Sequence, residues 1–450
     1  MKIVIAGAGE VGCHLAKMLS MEFHDIAVID SREERLNKIA ESADVITFCG
    51  SPTSIATLEK AGVPGADLFI GVSPAQDQDV NILSAVIAKK LGSKKVTARI
   101  NNDEYLKPEY KLLFTEMGID LLFYPEKVAA HEIIDLLQQT GTSEFMNFSG
   151  GKLQLIALKL DEGAPVVNKR LVEIPDSTPD MPLFRAVAIA REGHTLIPGA
   201  NTEFKRDDLV FVISRREGIQ QVMDFSGKDN IDVHNLMIVG GGSIGALVAA
   251  RLADKIERIK LIDTDRERCQ QLSETLKKAL VIYGDARNTD LLLEEELNRM
   301  DAFVAVTGSS ETNILSCMAA KQAGVPKTIA EVENIDYIKL AKGMGVDAVI
   351  NKKLITASRI FRFTMSHNVQ SIKCLNGTDA EVLEFIAKPG SAVTQDAIRN
   401  IHFPKDALIG GAIRGSNSFI ARGDFEIKPY DRVVVFALPS ALSRVNKFFA

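Results

Sequence analysis

Two stretches of this chain place glycines where a backbone can wrap an anion. Gly7-Ala8-Gly9-Glu10-Val11-Gly12 follows the apolar run 3–6, and Gly240-Gly241-Gly242-Ser243-Ile244-Gly245 follows the apolar run 237–239. In a GxGxxG turn the missing Cβ atoms let the backbone approach a pyrophosphate. The helix that follows offers free N–H groups and the positive end of its dipole. An acid closes the next apolar run at matching distance, because Asp30 and Asp263 each stand 18 residues past the third glycine, Gly12 or Gly245. A carboxylate there can accept hydrogen bonds from adenosine ribose hydroxyls, and its charge disfavours a 2′-phosphate, so the spacing favours NAD over NADP. Arg32 and Arg266 lie just past these acids; stacking on adenine and plain exposure at a helix start are both open to them.

One such motif is weak, and glycines that merely allow tight strand–helix packing would look the same. Two motifs with the same acid at the same spacing indicate an internal duplication of a dinucleotide-binding unit. Asn81-Ile82-Leu83-Ser84 also returns as Asn313-Ile314-Leu315-Ser316. The copies differ at one charged position: Thr97-Ala98-Arg99 aligns with Ile329-Ala330-Glu331. A cation stabilises a nearby pyrophosphate and a carboxylate repels it, so the two sites are expected to differ in ligand or affinity.

A group that would turn binding into hydride chemistry does not stand out. None of the six tyrosines (105, 110, 124, 283, 337, 430) has Lys four residues on, and Asp135 stands where the HExxH pattern begun by His131-Glu132 needs its second His. No GxxxxGK[ST] loop occurs, and the seven histidines are dispersed. The five cysteines (13, 49, 269, 317, 374) never take CxxC spacing, which fits reduced thiols and no zinc site.

The elements that must hold these residues read as short apolar strands alternating with helices. Strands are expected near 3–6, 26–29, 45–48, 68–72 and 96–100, with helices at 11–20, 32–40 and 80–91, the pattern of a parallel doubly wound sheet. A crossover helix over 128–139 leaves that sheet. After Thr140-Gly141-Thr142 the runs 153–160, 185–190 and 209–214 predict a small α+β domain of roughly 80 residues. It is repeated too, since Ile197–Glu203 with Asp208 matches Ile420–Glu426 with Asp431. The polar segment 225–234 is expected to connect the halves.

With 450 residues, 46% of them hydrophobic and 25% charged, the chain suits three or four globular domains. Its net charge of −6 argues against a nucleic-acid partner. No uncharged apolar run reaches the roughly 18 residues of a membrane span, and the N-terminal run reads as a strand rather than a signal peptide.

Taken together, Gly7–Gly12, Asp30, Ser73 with Asp79–Ser84, Arg99, Gly240–Gly245, Asp263, Gly284-Asp285-Ala286 and Thr307-Gly308 with Glu311-Thr312-Asn313 resemble the RCK/KTN family, over essentially the whole chain. The order of units is similar to the TrkA family of regulatory subunits of bacterial Trk potassium uptake systems. The resemblance implies two Rossmann-like α/β RCK-N domains with doubly wound parallel sheets (1–140 and 232–368), each followed by a small α+β RCK-C domain (141–225 and 369–450). It implies that the chain is not an enzyme and that NAD(H), ATP or ADP binds in the RCK-N units. Carried over by position, the first site comprises Gly7, Ala8, Gly9, Glu10, Val11, Gly12, Asp30, Ser73, Pro74 and Arg99. The second comprises Gly240, Gly241, Gly242, Ser243, Ile244, Gly245 and Asp263. Also implied are a homotetrameric ring, a cytoplasmic place on the inner face of the membrane, and a membrane-embedded potassium transporter subunit (TrkH/TrkG-like) as partner. Gly50-Ser51 stands where the second half has Gly284-Asp285, and two extra residues near Pro74 to Asp77 interrupt the first loop. An NAD-dependent oxidoreductase and a regulator of another cation transporter stay open as alternatives.

Overall fold

The computed structural model describes the chain except residues 22–23, 75–76, 175–181, 365–368, 376–377, 379 and 450. Strands β1 (Lys2–Ala6), β2 (Asp25–Asp30), β3 (Ile46–Cys49), β4 (Leu68–Gly71), β5 (Lys95–Arg99) and β6 (Leu121–Phe123) form a six-stranded sheet in the order β3-β2-β1-β4-β5-β6. All its pairings are parallel. β1 and β4 are apolar without alternation because helices cover both faces, and Ile3, Val4, Ile5, Phe69 and Ile70 are fully buried. The strand order reverses between β1 and β4. That switch point opens a crevice at the carboxyl ends of the strands, where Gly7–Gly12, Asp30 and Ser73 all lie.

The next sheet is antiparallel: β7 (Glu144–Phe148), β8 (Leu153–Lys159), β9 (Phe184–Arg191), β10 (His194–Leu196) and β11 (Leu209–Ser214), ordered β10-β9-β11-β8-β7. The pattern then repeats. Strands β12 (Asn235–Val239), β13 (Arg258–Asp263), β14 (Ala279–Tyr283), β15 (Ala302–Ala305), β16 (Lys327–Glu331) and β17 (Ala348–Ile350) take the order β14-β13-β12-β15-β16-β17. Strands β18 (Val369–Cys374), β19 (Glu381–Ile386), β20 (Ala407–Arg414), β21 (Asn417–Ile420) and β22 (Arg432–Ala437) take the order β18-β19-β22-β20-β21, which read from its other edge is that of the first small sheet.

Compactness groups the four sheets into two units. One unit comprises Met1–Val128 with Lys352–Thr364, and the other Ala129–Asn351 with Met365–Ala450. The second unit therefore holds one parallel sheet and both small sheets. The small sheets share a core, in which Leu153, Leu155 and Phe211 of one pack with Val382, Val434 and Phe436 of the other. Burying each such side chain contributes roughly 1.5–3 kcal/mol. Gly411 sits where the sheets approach, since a Cβ there would lie 2.8 Å from Leu153 Cδ1.

The repeated acids noted in the sequence are structural pins. Asp208 and Asp431 are 0% and 1% exposed. Each accepts a bidentate pair of hydrogen bonds, from Arg191 at 2.7 and 2.7 Å and from Arg414 at 2.8 and 2.7 Å. Each also accepts from the backbone N–H three residues earlier, Lys205 or Lys428. The polar segment expected to join the halves lies within the second unit and is held there. Asn230 Oδ1 accepts from Gly141 N, and Ile231 N donates to Thr140 Oγ1.

Candidate functional site

The glycines of the two turns divide by what a side chain would meet. Gly7 has φ +113°, and a Cβ there would lie 2.7 Å from Ser73 N; one on Gly12 would lie 1.8 Å from Gly7 O. Gly240, at φ +103°, and Gly245 would clash in the same way, at 2.6 Å from Val306 O and 1.9 Å from Gly240 O. Packing of the chain on itself accounts for these four. It does not account for the middle glycines. A Cβ on Gly9 would meet nothing nearer than Arg35 Nη1 at 4.0 Å, and one on Gly242 nothing within 4 Å. Glycine there leaves open space at the mouth of a helix N-terminus, the place where a phosphate approaches backbone.

The acids hold the turns. Asp30 is 5% exposed, and its carboxylate accepts from Ala8 N at 2.7 Å and Arg32 N at 2.9 Å. Asp263 accepts from Gly241 N at 2.5 Å and Asp265 N at 2.8 Å. An ionised carboxylate has about four acceptor positions, so two bonds leave capacity for ribose hydroxyls. The arginines that reach these turns are Arg35, 3.6 Å from Asp30, and Arg268, which donates to Gly241 O at 2.9 Å. Arg32 and Arg266, the arginines directly past the acids, are exposed. Arg35 and Arg268 each stand five residues past their acid, a matching offset that was there to be read.

Ser73 is buried, and its backbone is clamped. Asn81 Oδ1 accepts from Ser73 N at 2.8 Å, while Asn81 Nδ2 donates to Ser73 O and Arg99 O. Asn313 makes the same three contacts with Thr307 N, Thr307 O and Glu331 O. The repeated Asn thus ties the ends of the fourth and fifth strands to the helix between them. Pro74 follows directly, and the two extra residues expected beyond it involve positions 75–76, outside the described residues.

Arg99 is at the carboxyl edge, but its charge is engaged. Nη2 donates to Glu126 Oε1 at 2.7 Å, and the side chains are 11% and 10% exposed. Its counterpart Glu331 is 4% exposed. Glu10 opens the helix Glu10–Met21 with an exposed side chain, and Val11 beside it is half-buried. Ser243 is exposed, whereas the Ile244 side chain is buried and leaves only its backbone to a ligand. Among the described residues, no three His, Cys, Asp or Glu gather to hold a metal ion. No helix among them is long and apolar enough to cross a membrane.

The comparisons agree with this architecture. The TrkA-N domain family matches residues 3–125 and 236–352, and the TrkA-C domain family matches 155–227 and 382–450. A Trk system potassium uptake protein TrkA homolog from Archaeoglobus fulgidus is 34% identical over 453 residues, covering 100% of both chains. The Trk system potassium uptake protein TrkA of Halomonas elongata is 32% identical, covering 97% of this chain and 96% of that one. That of Haemophilus influenzae is 30% identical, covering 97% and 95%. Among solved structures, the GsuK RCK domain superposes with TM-score 0.61 at 17% identity, over 100% of this chain and 94% of that one. The GsuK channel bound to NAD does so with TM-score 0.61 at 16% identity, over 100% and 78%. At that identity the likeness is one of fold. The relatives are named for potassium uptake rather than for a reaction. With paired N and C domains matched in both halves and full-length relatives above 30% identity, this chain belongs to the TrkA family of Trk potassium uptake proteins, which is not a family of enzymes.

Proposed function

We propose that the chain is a nucleotide-sensing gating subunit of a Trk-type potassium uptake system. NAD(H) binds at the Gly7–Gly12 turn with Asp30 and at the Gly240–Gly245 turn with Asp263, and ATP or ADP competes for the same crevices. The observation that carries this is the open space over Gly9 and Gly242, which packing leaves unexplained. A GsuK channel structure described as bound to NAD, and another described as bound to ADP, share this fold and support the reading.

The partner is a membrane-embedded, TrkH/TrkG-like potassium transporter subunit, met by this chain from the cytoplasmic side. The chain acts on it as a homo-oligomer, a tetramer. Apolar residues exposed at equivalent places in both halves support assembly: Leu83 and Leu315 (52% and 61%), Leu113 and Leu340 (53% and 49%), Met117 and Met344 (39% and 41%). Single exposed apolar residues are ordinary, but repetition of the same positions in two copies favours a shared role in assembly. A ligand that fits one ring conformation better shifts the pore's equilibrium by its differential affinity alone.

Mass spectrometry of ligand released from the purified protein, followed by calorimetry with NADH, NAD, ATP and ADP, tests the binding. No adenine nucleotide released or bound would refute it. Light scattering with and without NADH and ATP tests the ring, and a strict monomer at micromolar concentration would refute that.

A further inference from the structure

The two halves exchange charge at two positions. Arg99 and Glu331 end β5 and β16. Glu126 and Lys353 each stand three residues past the end of the next strand, Phe123 or Ile350. The first half carries cation then anion and the second anion then cation. In the first half the pair closes on itself through Arg99 and Glu126. Lys353 does otherwise. It lies on the helix Lys352–Thr364, which packs on the helix Glu10–Met21 within the first unit. There Lys353 Nζ is 2.9 Å from Glu10 Oε2, with side chains 16% and 66% exposed.

A lysine at that place is electrostatically odd. The N-terminus of Glu10–Met21 already carries the positive end of the helix dipole, which disfavours a second positive charge. Glu10 offsets it with a mostly exposed carboxylate, which solvent screens. His14, one turn along, is pushed down to about 4, first by burial and then by the Lys353 charge. Lys353 and the free amides beside Gly9 therefore concentrate positive charge at the turn, where Lys353 pairs with the screened Glu10 carboxylate and the nearby Asp30 carboxylate is engaged by Ala8 N, Arg32 N and Arg35. The geometry points to Lys353 as a residue of the first nucleotide site, supplied by the other half of the chain, which releases Glu10 and pairs with a ligand phosphate. This rests on the nucleotide reading above. It gives that site a direct handle on the helix leading to the second C-type domain, and it favours ligands with more phosphate charge.

Calorimetry tests it on the full chain carrying Gly242→Asp, so that only the first site is read, with metal-free ATP, ADP and NADH. Lys353→Gln is expected to weaken ATP by about tenfold or more, the scale of one charge-assisted hydrogen bond, and NADH by less. Lys353→Arg should retain binding, and Glu10→Gln, which removes the competing anion, should tighten ATP. Equal weakening of all three ligands would indicate a merely structural role and overturn the assignment. So would unchanged ATP affinity in both Lys353→Gln and Glu10→Gln, while leaving the nucleotide reading intact. If Lys353→Gln does not fold, Glu10→Gln decides alone: tighter ATP binding supports the assignment, and unchanged affinity overturns it. No binding of any nucleotide, either by the parent or by a Gly9→Asp protein whose second site is whole, defeats the nucleotide reading and this assignment with it.

Discussion

Arg99 and Glu126, 27 residues apart, form an ion pair at the end of β5 with both side chains about nine-tenths buried. A buried pair contributes little net stability, because desolvation offsets attraction, but removing one partner strands the other charge. Glu126→Ala should therefore destabilise the first unit by about 3–5 kcal/mol, and Arg99→Met by a similar amount. The double variant should recover much of the loss. Denaturant unfolding of the four proteins as a double-mutant cycle checks this. Additive losses would mean that the two groups do not act as a pair.

Asp30 does two jobs that one substitution can separate. Its carboxylate holds Ala8 N and Arg32 N and faces the expected ribose position. Asp30→Ala should weaken NAD(H) by roughly 1–3 kcal/mol and lower stability by a comparable amount, the scale for losing hydrogen bonds to a charged group. Asp30→Asn keeps an acceptor and should cost less stability. Calorimetry on a variant shown to be folded checks the binding part, and unchanged NAD(H) affinity would exclude Asp30 from the site.

The two crevices should not be interchangeable. Gly9→Asp and Gly242→Asp place a carboxylate in open space, so both proteins should fold while each loses one site. Nucleotide titrations of the two should then give different ligand rankings, because one strand end carries Arg99 paired with Glu126 and the other carries Glu331. Identical affinities for every nucleotide would show that the duplicated sites remained equivalent.

The parallel sheets were legible because burial on both faces leaves an unbroken apolar run, as at Ile3–Ala6 and 68–72. What was passed over lacks that signature. Leu121–Phe123 and His194–Leu196 are three residues long, and Glu144–Phe148 opens with Glu144, a buried acid at 2% exposure. The glycines and their acids were also visible, since their spacing is local. Partnerships across the fold were not. Asp208 and Asp431 showed as a repeat, and Arg191 and Arg414 stand 17 residues before them in each copy, but that spacing alone does not say that they pair across neighbouring strands. Arg99 was read as a cation facing phosphate because Glu126 is remote in sequence. The grouping of the two small domains with each other depends on the shared core around Phe211 and Phe436, a tertiary fact with no sequence period.

Lys327 gives the second unit a pH dependence with a definite sign. It is 1% exposed, and its ammonium donates to the carbonyls of Thr140 and Thr142 rather than to a carboxylate. Burial pushes it down to about 8 from the usual 10.5. Between those values the unfolded chain binds a proton that the folded chain has lost, so stability rises with pH across about 8 to 10.5. The slope approaches about 1.4 kcal/mol per pH unit for one group. Lys342 is also lowered by burial and adds to the rise. Lys373 is raised, chiefly by Glu132 and Glu144 acting against its burial, so its contribution is lost only above the ordinary lysine value. Lys327→Gln keeps a donor for the carbonyls and removes the titration. Urea unfolding of the second unit at pH 7.5 and pH 9.5 should show wild type gaining on the variant by on the order of 2 kcal/mol. Parallel behaviour of the two proteins would mean that the Lys327 amine titrates as an ordinary lysine.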